Sequence, residues 1–259
     1  RWAASGMQVL RNSLPGQGEN HALLHRPFLV GGAGPACFFR DDGLSDRIGF
    51  EYAKWEAGSA VEDLLAHLTT IRRLARGAED AVAVILMDGE NAWEHYSENG
   101  LGFLRGLYAA LAEHPELEPT TFSAFLDGLE APPVARLDHI VAGSWVYGTL
   151  STWIGNGPRN RLWDALVDVK AVHDAAPAEL PEPRRRMMAR ALAACEGSDW
   201  WWWAEHDAPG RVTAFERLFA RHAQVLCEAA GAPLPASVRA LLDAEVIGLT
   251  AGAMRSADG

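Results

Sequence analysis

The sequence predicts an α/β part over residues 1–96 and an all-helical part over residues 97–259. Two patterns carry this division. Ala81–Leu86 is apolar at every position, the habit of a strand covered on both faces as in parallel sheets. It follows a helix-periodic stretch that itself follows a strand, Ala36–Arg40, and strand, helix, strand with short connections makes a βαβ unit with parallel strands. From Ser97 onward the hydrophobic residues recur at helical spacing instead.

Taken in order, Trp2-Ala3-Ala4 reads as a short strand, Ser13–Asn20 as a polar loop with Pro15, Gly16 and Gly18, and Phe28–Val30 as a second extended piece. His21 and His25 stand four apart and would share a helical face, but no third ligand lies near, so packed or solvated histidines are expected. Gly31–Pro35 is a turn without the strand-turn-helix context of a phosphate loop. After the Ala36–Arg40 strand comes the acidic segment Asp41–Asp46. Ser59 and Glu62 make a capping box for a helix striped by Val61, Leu64, Leu65, Leu68, Ile71 and Leu74, with Arg72, Arg73 and Arg76 before a stop at Gly77. The Ala81 strand follows.

In the second part, Leu101, Leu104, Leu107, Tyr108 and Leu111 stripe one helix, and a short one starts at Thr120 or Thr121. Another opens at Pro158, and a third runs from near Pro183 toward Cys195. The next starts at a Thr213–Glu216 capping box and stops at Gly231. The chain begins at Arg1 inside what reads as a strand, and three or four parallel strands would leave open edges. A preceding segment that supplies further strands is therefore expected.

Composition bounds the function. A formal charge of −11 argues against a nucleic-acid partner, which needs a basic face. Three scattered cysteines, Cys37, Cys195 and Cys227, imply neither a disulfide framework nor a zinc site, and no run is long enough to cross a membrane. The ten tryptophans are unusual, and four are consecutive, Trp200–Trp203. Four in a row cannot all face one core, so at least one is expected at a cleft or interface.

Chemistry is expected where Ala81–Leu86 runs into Met87 and then Asp88-Gly89-Glu90-Asn91. A carboxylate off the end of a buried strand occupies the place where α/β proteins put their sites, and apolar surroundings would raise its pKa toward that of a general acid. The same four residues also suit a plain turn with Glu90 or Asn91 as a helix cap. Both readings stay open at this level.

The motifs in series resolve the ambiguity by resemblance. Phe39-Arg40-Asp41-Asp42-Gly43-Leu44-Ser45-Asp46-Arg47-Ile48-Gly49-Phe50, then Asp88-Gly89-Glu90-Asn91-Ala92-Trp93-Glu94-His95-Tyr96, resemble glycoside hydrolase family 57. Gly143-Ser144-Trp145, Trp153-Ile154-Gly155 and Glu196-Gly197-Ser198-Asp199-Trp200 continue the likeness in the same order, closest to amylopullulanase-like and α-amylase-like members. The resemblance implies the C-terminal part of an incomplete (β/α)7 barrel over residues 1–96, followed by a helical bundle over 97–259 that completes the substrate cleft. It implies retaining chemistry on an α-glucan or maltooligosaccharide, with no cofactor and no metal. Asp88 takes the acid/base role, and Glu90 is expected to contact sugar hydroxyls. Asp199 and Trp202 fall where the last motif brings an acid and an aromatic to the substrate. Trp93 and His95 are candidates to line the cleft, and Asp46 is a further one that could equally tie down its loop. The family's nucleophilic Glu belongs to a motif upstream of Arg1, so no Glu here is assigned that role, and the 259 residues alone are expected to be inactive.

A retaining glycosidase holds its two carboxyls about 5–5.5 Å apart, and the ionised nucleophile keeps its neighbour protonated by like-charge repulsion. An α-glucanotransferase or branching enzyme would use the same groups with a sugar as acceptor. A carbohydrate-binding protein without the chemistry is a competing reading. A metal-dependent deacetylase on a related barrel ranks last, because no Asp/His triplet at strand ends is visible.

Overall fold

The computed structural model describes residues 1–14, 21–32, 34–75, 78, 80–89, 92–131, 133, 135–204 and 209–243, with backbone only for 209–213. The expectations that rest on Glu90, Arg76 and Gly77 lie outside these residues. It is an α/β fold with one small sheet and many helices, in two compact units, Arg1–Thr149 and Leu150–Gly259. The sequence reading divided the chain at 96/97 instead. The first unit extends further because the helix after residue 100 packs on the helix after residue 57, and a strand at 136–137 joins the sheet.

In the first unit β1 (Trp2–Ala4) leads into α1 (Met7–Ser13), then a 3-10 turn (His21–His25), β2 (Phe28–Val30) and β3 (Ala36–Phe39). The helix α1 was not anticipated. The short helix α2 (Asp42–Asp46) continues as a π-helical turn, Arg47–Glu51, and a 3-10 turn, Tyr52–Lys54. Then come α3 (Ala57–Leu74), α4 (Leu101–Ala112), α5 (Phe122–Asp127) and β4 (Arg136–Leu137).

The sheet order is β1-β3-β2-β4. β1 runs parallel to β3, with Trp2 opposite Cys37 and Ala4 opposite Phe39, and β2 runs parallel to β4. β2 and β3 are antiparallel, which corrects the expectation of parallel strands throughout: the five-residue turn Gly31–Pro35 can only join antiparallel neighbours. Alternation along β3 sends Cys37 and Phe39 to one face with Val9, Leu10 and Leu24, where Phe39 meets Phe28 edge-on at 5.7 Å. Phe38 points to the other face and stacks on Phe122 of α5 at 4.4 Å.

Residues 81–88 are not a ladder strand, although the sequence reads as one. They run alongside the end of β3, with Ala83, Ile85 and Met87 against the core of α3 and α4 and Val84 buried. That core holds Leu44, Ile48, Tyr52, Val61, Leu64 and Phe103. Leu101 and Tyr108, expected on the buried stripe of α4, are exposed, and Phe103 takes the inward place. The cap of α3 is Glu56, whose carboxylate accepts the Ser59 amide at 2.9 Å, so Ser59 is inside the helix and not at its cap.

The second unit contains α6 (Gly157–Asp174), α7 (Glu182–Cys195), α8 (Asp199–Trp203), α9 (Pro209–Ala230) and α10 (Ala236–Asp243). Asn156 caps α6 by accepting the Arg159 amide at 2.9 Å, with Pro158 in the first turn. α9 begins four residues before Thr213, so the expected capping box lies within the helix. α9 packs against α6, α7, α8 and α10, and its Phe219, Ala223 and Leu226 meet Leu162, Val169, Leu192 and Val238 in one apolar core. Among the described residues no helix is long and apolar enough to cross a membrane. The three cysteines are free and buried.

Candidate active site

The chain leaves β3 at Phe39 and enters α2 at Asp42, so Arg40 and Asp41 stand at the carboxyl end of the strand. Asp41 caps α2, its Oδ1 accepting the Leu44 amide at 2.9 Å. Its Oδ2 lies 2.8 Å from His25 Nε2, and the two side chains are only 12 % and 11 % exposed. Burial works against the Asp41 charge, but the bonds from His25 and the Leu44 amide outweigh it, leaving the carboxyl below its ordinary pKa. The two histidines expected on one face thus have separate fates: His21 is exposed, and His25 is the hydrogen-bond partner of Asp41.

Arg40 is the hub of the segment. Its Nη1 donates to Asp42 and its Nη2 to Asp46, both at 2.6 Å, and its Nε donates to the Leu86 carbonyl at 3.2 Å. Burial alone would weaken the Arg40 charge; the Asp46 and Asp42 carboxylates more than offset it and hold the guanidinium protonated. Asp42 turns its other oxygen to the Met7 amide at the start of α1, at 3.0 Å. Gly6 permits that approach, since a Cβ there would overlap the Asp42 carboxylate.

Residues 82–86 are tied to this cluster by alternate backbone groups. The Val82 amide donates to the His25 carbonyl at 2.9 Å, the Asp41 amide donates to the Val84 carbonyl at 2.8 Å, and the Leu86 amide donates to the buried Ser45 hydroxyl at 3.2 Å. Two residues on, Asp88 is exposed. Glu90 of the same motif lies outside the described residues. Trp93 is half-buried, its ring 5.3 Å from Tyr96 and 6.2 Å from Phe103. His95 is exposed beside Glu94 at 3.4 Å. Tyr96 is buried, its hydroxyl donating to the Ile48 carbonyl at 2.5 Å, and burial pushes its pKa up to about 12. Glu98, Asn99 and Gly100 then follow at φ 49°, 53° and 78°. A Cβ on Gly100 would lie 2.9 Å from the Trp93 ring, so this left-handed turn and the indole fit each other only with glycine.

In the second unit Asp199 opens α8 and is exposed, with Trp202 three residues on and half-buried, its ring 5.8 Å from that of Trp153. The run of tryptophans divides its work. Trp201 is buried and stacked on Trp163 at 4.2 Å, Trp200 donates to the Ala194 carbonyl at 2.8 Å, and Trp203 stacks on Phe215. Arg159, itself buried, donates to the carbonyls of Trp201 and Ser151 at 3.2 and 3.0 Å. Among the described residues no three His, Cys, Asp or Glu side chains come together as a metal site.

Sequence reasoning brought forward Asp46 and Asp88 but missed what joins their segments: Arg40, Ser45 and the His25–Asp41 pair. The available signal was an arginine at a strand end beside four acidic or hydroxyl residues, Asp41, Asp42, Ser45 and Asp46, which is what a satisfied buried guanidinium needs.

Residues 10–138 match the model of glycosyl hydrolase family 57. The fold is similar to that of a family 57 branching enzyme from the hyperthermophilic archaeon Thermococcus kodakaraensis, solved in complex with glucose and additives. The sequences are 17% identical, and the TM-score of 0.61 covers 94% of this chain and 55% of that one. It is equally similar to a family 57-type branching enzyme from Pyrococcus horikoshii, with 14% identity and a TM-score of 0.61 over 96% of this chain and 58% of that one. The chain thus spans a little over half the length of these solved relatives. No curated protein matches it. The motifs at Phe39–Phe50 and Asp88–Tyr96 fall inside the residues that match the model of glycosyl hydrolase family 57.

Proposed function

We propose that this chain contributes the general acid/base of a retaining enzyme that acts on α-glucans, with Asp88 as the proton donor to the bridging oxygen of a maltooligosaccharide. The observation that carries the reading is the position of Asp88: exposed, at the end of a half-buried apolar segment, and in the acidic motif within the residues that match the family. Asp88 would protonate the departing oxygen and later take a proton from the acceptor, as one carboxyl does in both halves of a retaining reaction. Its partner, the nucleophilic Glu, would come from outside these 259 residues, on the remainder of a (β/α)7 barrel whose strands continue the α/β part. Glu90, Trp93 and His95 would line the sugar near Asp88, and Asp199 and Trp202 would be sugar contacts on the helical part, Trp202 by stacking.

Asp88→Asn in the full-length protein tests the assignment. Loss of a general acid lowers turnover by about 10²–10⁴-fold, read as release of reducing ends from a maltooligosaccharide or as loss of iodine colour from amylose. Near-normal turnover would remove Asp88 from the catalytic role. The same two readouts separate water from a second glucan as acceptor, and the branching activity named for both solved relatives makes transfer the first to try. Residues 1–259 expressed alone are expected to be inactive, and measurable turnover by them would overturn the placement of the nucleophile elsewhere.

A further inference from the structure

The Leu86 peptide, two residues before Asp88, stands where a sheet would normally continue, yet the neighbouring chain has already turned away into α2. Val82 and Val84 still find backbone partners, in His25 and Asp41. Leu86 finds none there, and side chains take both of its bonds: the Ser45 hydroxyl accepts from its amide, and Arg40 Nε donates to its carbonyl. An extended segment has its backbone groups directed to one side at every second residue, so 82, 84 and 86 all face this edge. Two side chains replace the missing ladder at the Leu86 backbone, two residues before the exposed carboxylate.

We propose that Arg40 and Ser45 are positioning residues for Asp88, fixing where the acid motif leaves the fold; this rests on the reading of Asp88 as the acid. Arg40 suits the task because its planar fork is over-determined. Two nitrogens are clamped by Asp42 and Asp46 at 2.6 Å, and Asp42 is itself bonded to the Met7 amide of α1. The guanidinium therefore cannot follow Leu86 if the segment drifts, and the segment must come to it. Asp46, expected as a sugar contact, acquires a definite task here as a clamp on Arg40. Lysine could keep one ion pair but not three directed bonds at once.

Arg40→Lys and Ser45→Ala in the full-length protein test the proposal, with Thr121→Ala, whose hydroxyl caps α5 by accepting the Ala124 amide, as the control for lost stability. Amide exchange at Leu86 is expected to quicken in both variants. With a maltooligosaccharide as substrate, kcat should fall by about 10²-fold for Arg40→Lys and by less for Ser45→Ala, with KM changed under about threefold, since a small misplacement of a catalytic group costs that much. Thr121→Ala should leave all three readouts unchanged. Unchanged exchange at Leu86, or faster exchange with unchanged kcat while Asp88→Asn is inactive, would overturn the proposal alone. An active Asp88→Asn would overturn the reading of Asp88 and the proposal with it.

Discussion

In the second unit one long helix, α9, is covered by four others, and its buried face is Phe219, Ala220, Ala223, Leu226 and Cys227. In the first unit the stretch that carries the family's acidic motif is joined to the fold by directed bonds from Arg40, Asp41, Ser45 and His25. Apolar packing supplies stability in proportion to area but tolerates small shifts of a group along a surface. Hydrogen bonds contribute less each, yet they specify distance and direction. The second unit is therefore organised to be stable, and the segment before Asp88 is organised to be placed. One buried charge in the second unit marks the contrast: burial raises the Glu216 carboxyl above its ordinary pKa, and Arg161 at 3.5 Å only partly opposes this, whereas the bonds around Asp41 lower its pKa.

The contrast can be broken from either side. The largest effect is expected from Phe219→Ala, which removes a fully buried ring that touches Trp200 and Trp201. It should cost about 3–5 kcal/mol in denaturant unfolding, with altered tryptophan fluorescence, and a cost under about 1 kcal/mol would show that the core of the second unit is loosely packed. Asp41→Ala comes next, at about 2–3 kcal/mol, because it removes a helix cap and leaves His25 without its buried partner. That loss should depend on pH. Asp41 has its pKa lowered in the folded chain, so as pH falls the unfolded chain takes up the proton first. The stabilisation is complete above about pH 5 and fades as pH drops through the folded value, so parent and variant should converge in acid. A constant gap from neutral to strongly acid pH would place the effect in packing instead. Asn156→Ala, which removes the cap of α6, should cost about 1 kcal/mol at all these pH values, because no titrating group is involved.

Elements with a local cause were legible before any coordinates. The strands at Trp2, Phe28 and Ala36, the Thr121 cap, the opening of α6 at Pro158 and the stop of α9 before Gly231 follow from neighbouring residues alone. The antiparallel pairing of β2 with β3 was also available in the brevity of Gly31–Pro35 and was overlooked. The helix cap at Glu56 was hidden by a better-looking box at Ser59, since a glutamate cap is not among the favoured types. The 81–88 segment shows where local reading ends. Its pattern is that of a buried strand, yet only Val84 is fully buried, and the presence of a ladder depends on whether a neighbouring backbone continues beside it.

The sequence by itself determined the order of elements, the apolar segment that ends at Asp88 and the motifs shared with glycosyl hydrolase family 57, because these depend on residue type and spacing along the chain. Only the tertiary structure decided that Arg40 joins Asp42, Asp46 and the Leu86 carbonyl, that His25 belongs to Asp41, and that the four tryptophans divide between core and half-buried positions. Asp42 and Asp46 are sequence neighbours of Arg40, but Leu86 lies 46 residues from it and His25 lies 16 from Asp41. Spacing along one element says nothing of which remote partner will fill a given hydrogen bond, and only closure of the fold around a buried charge selects it.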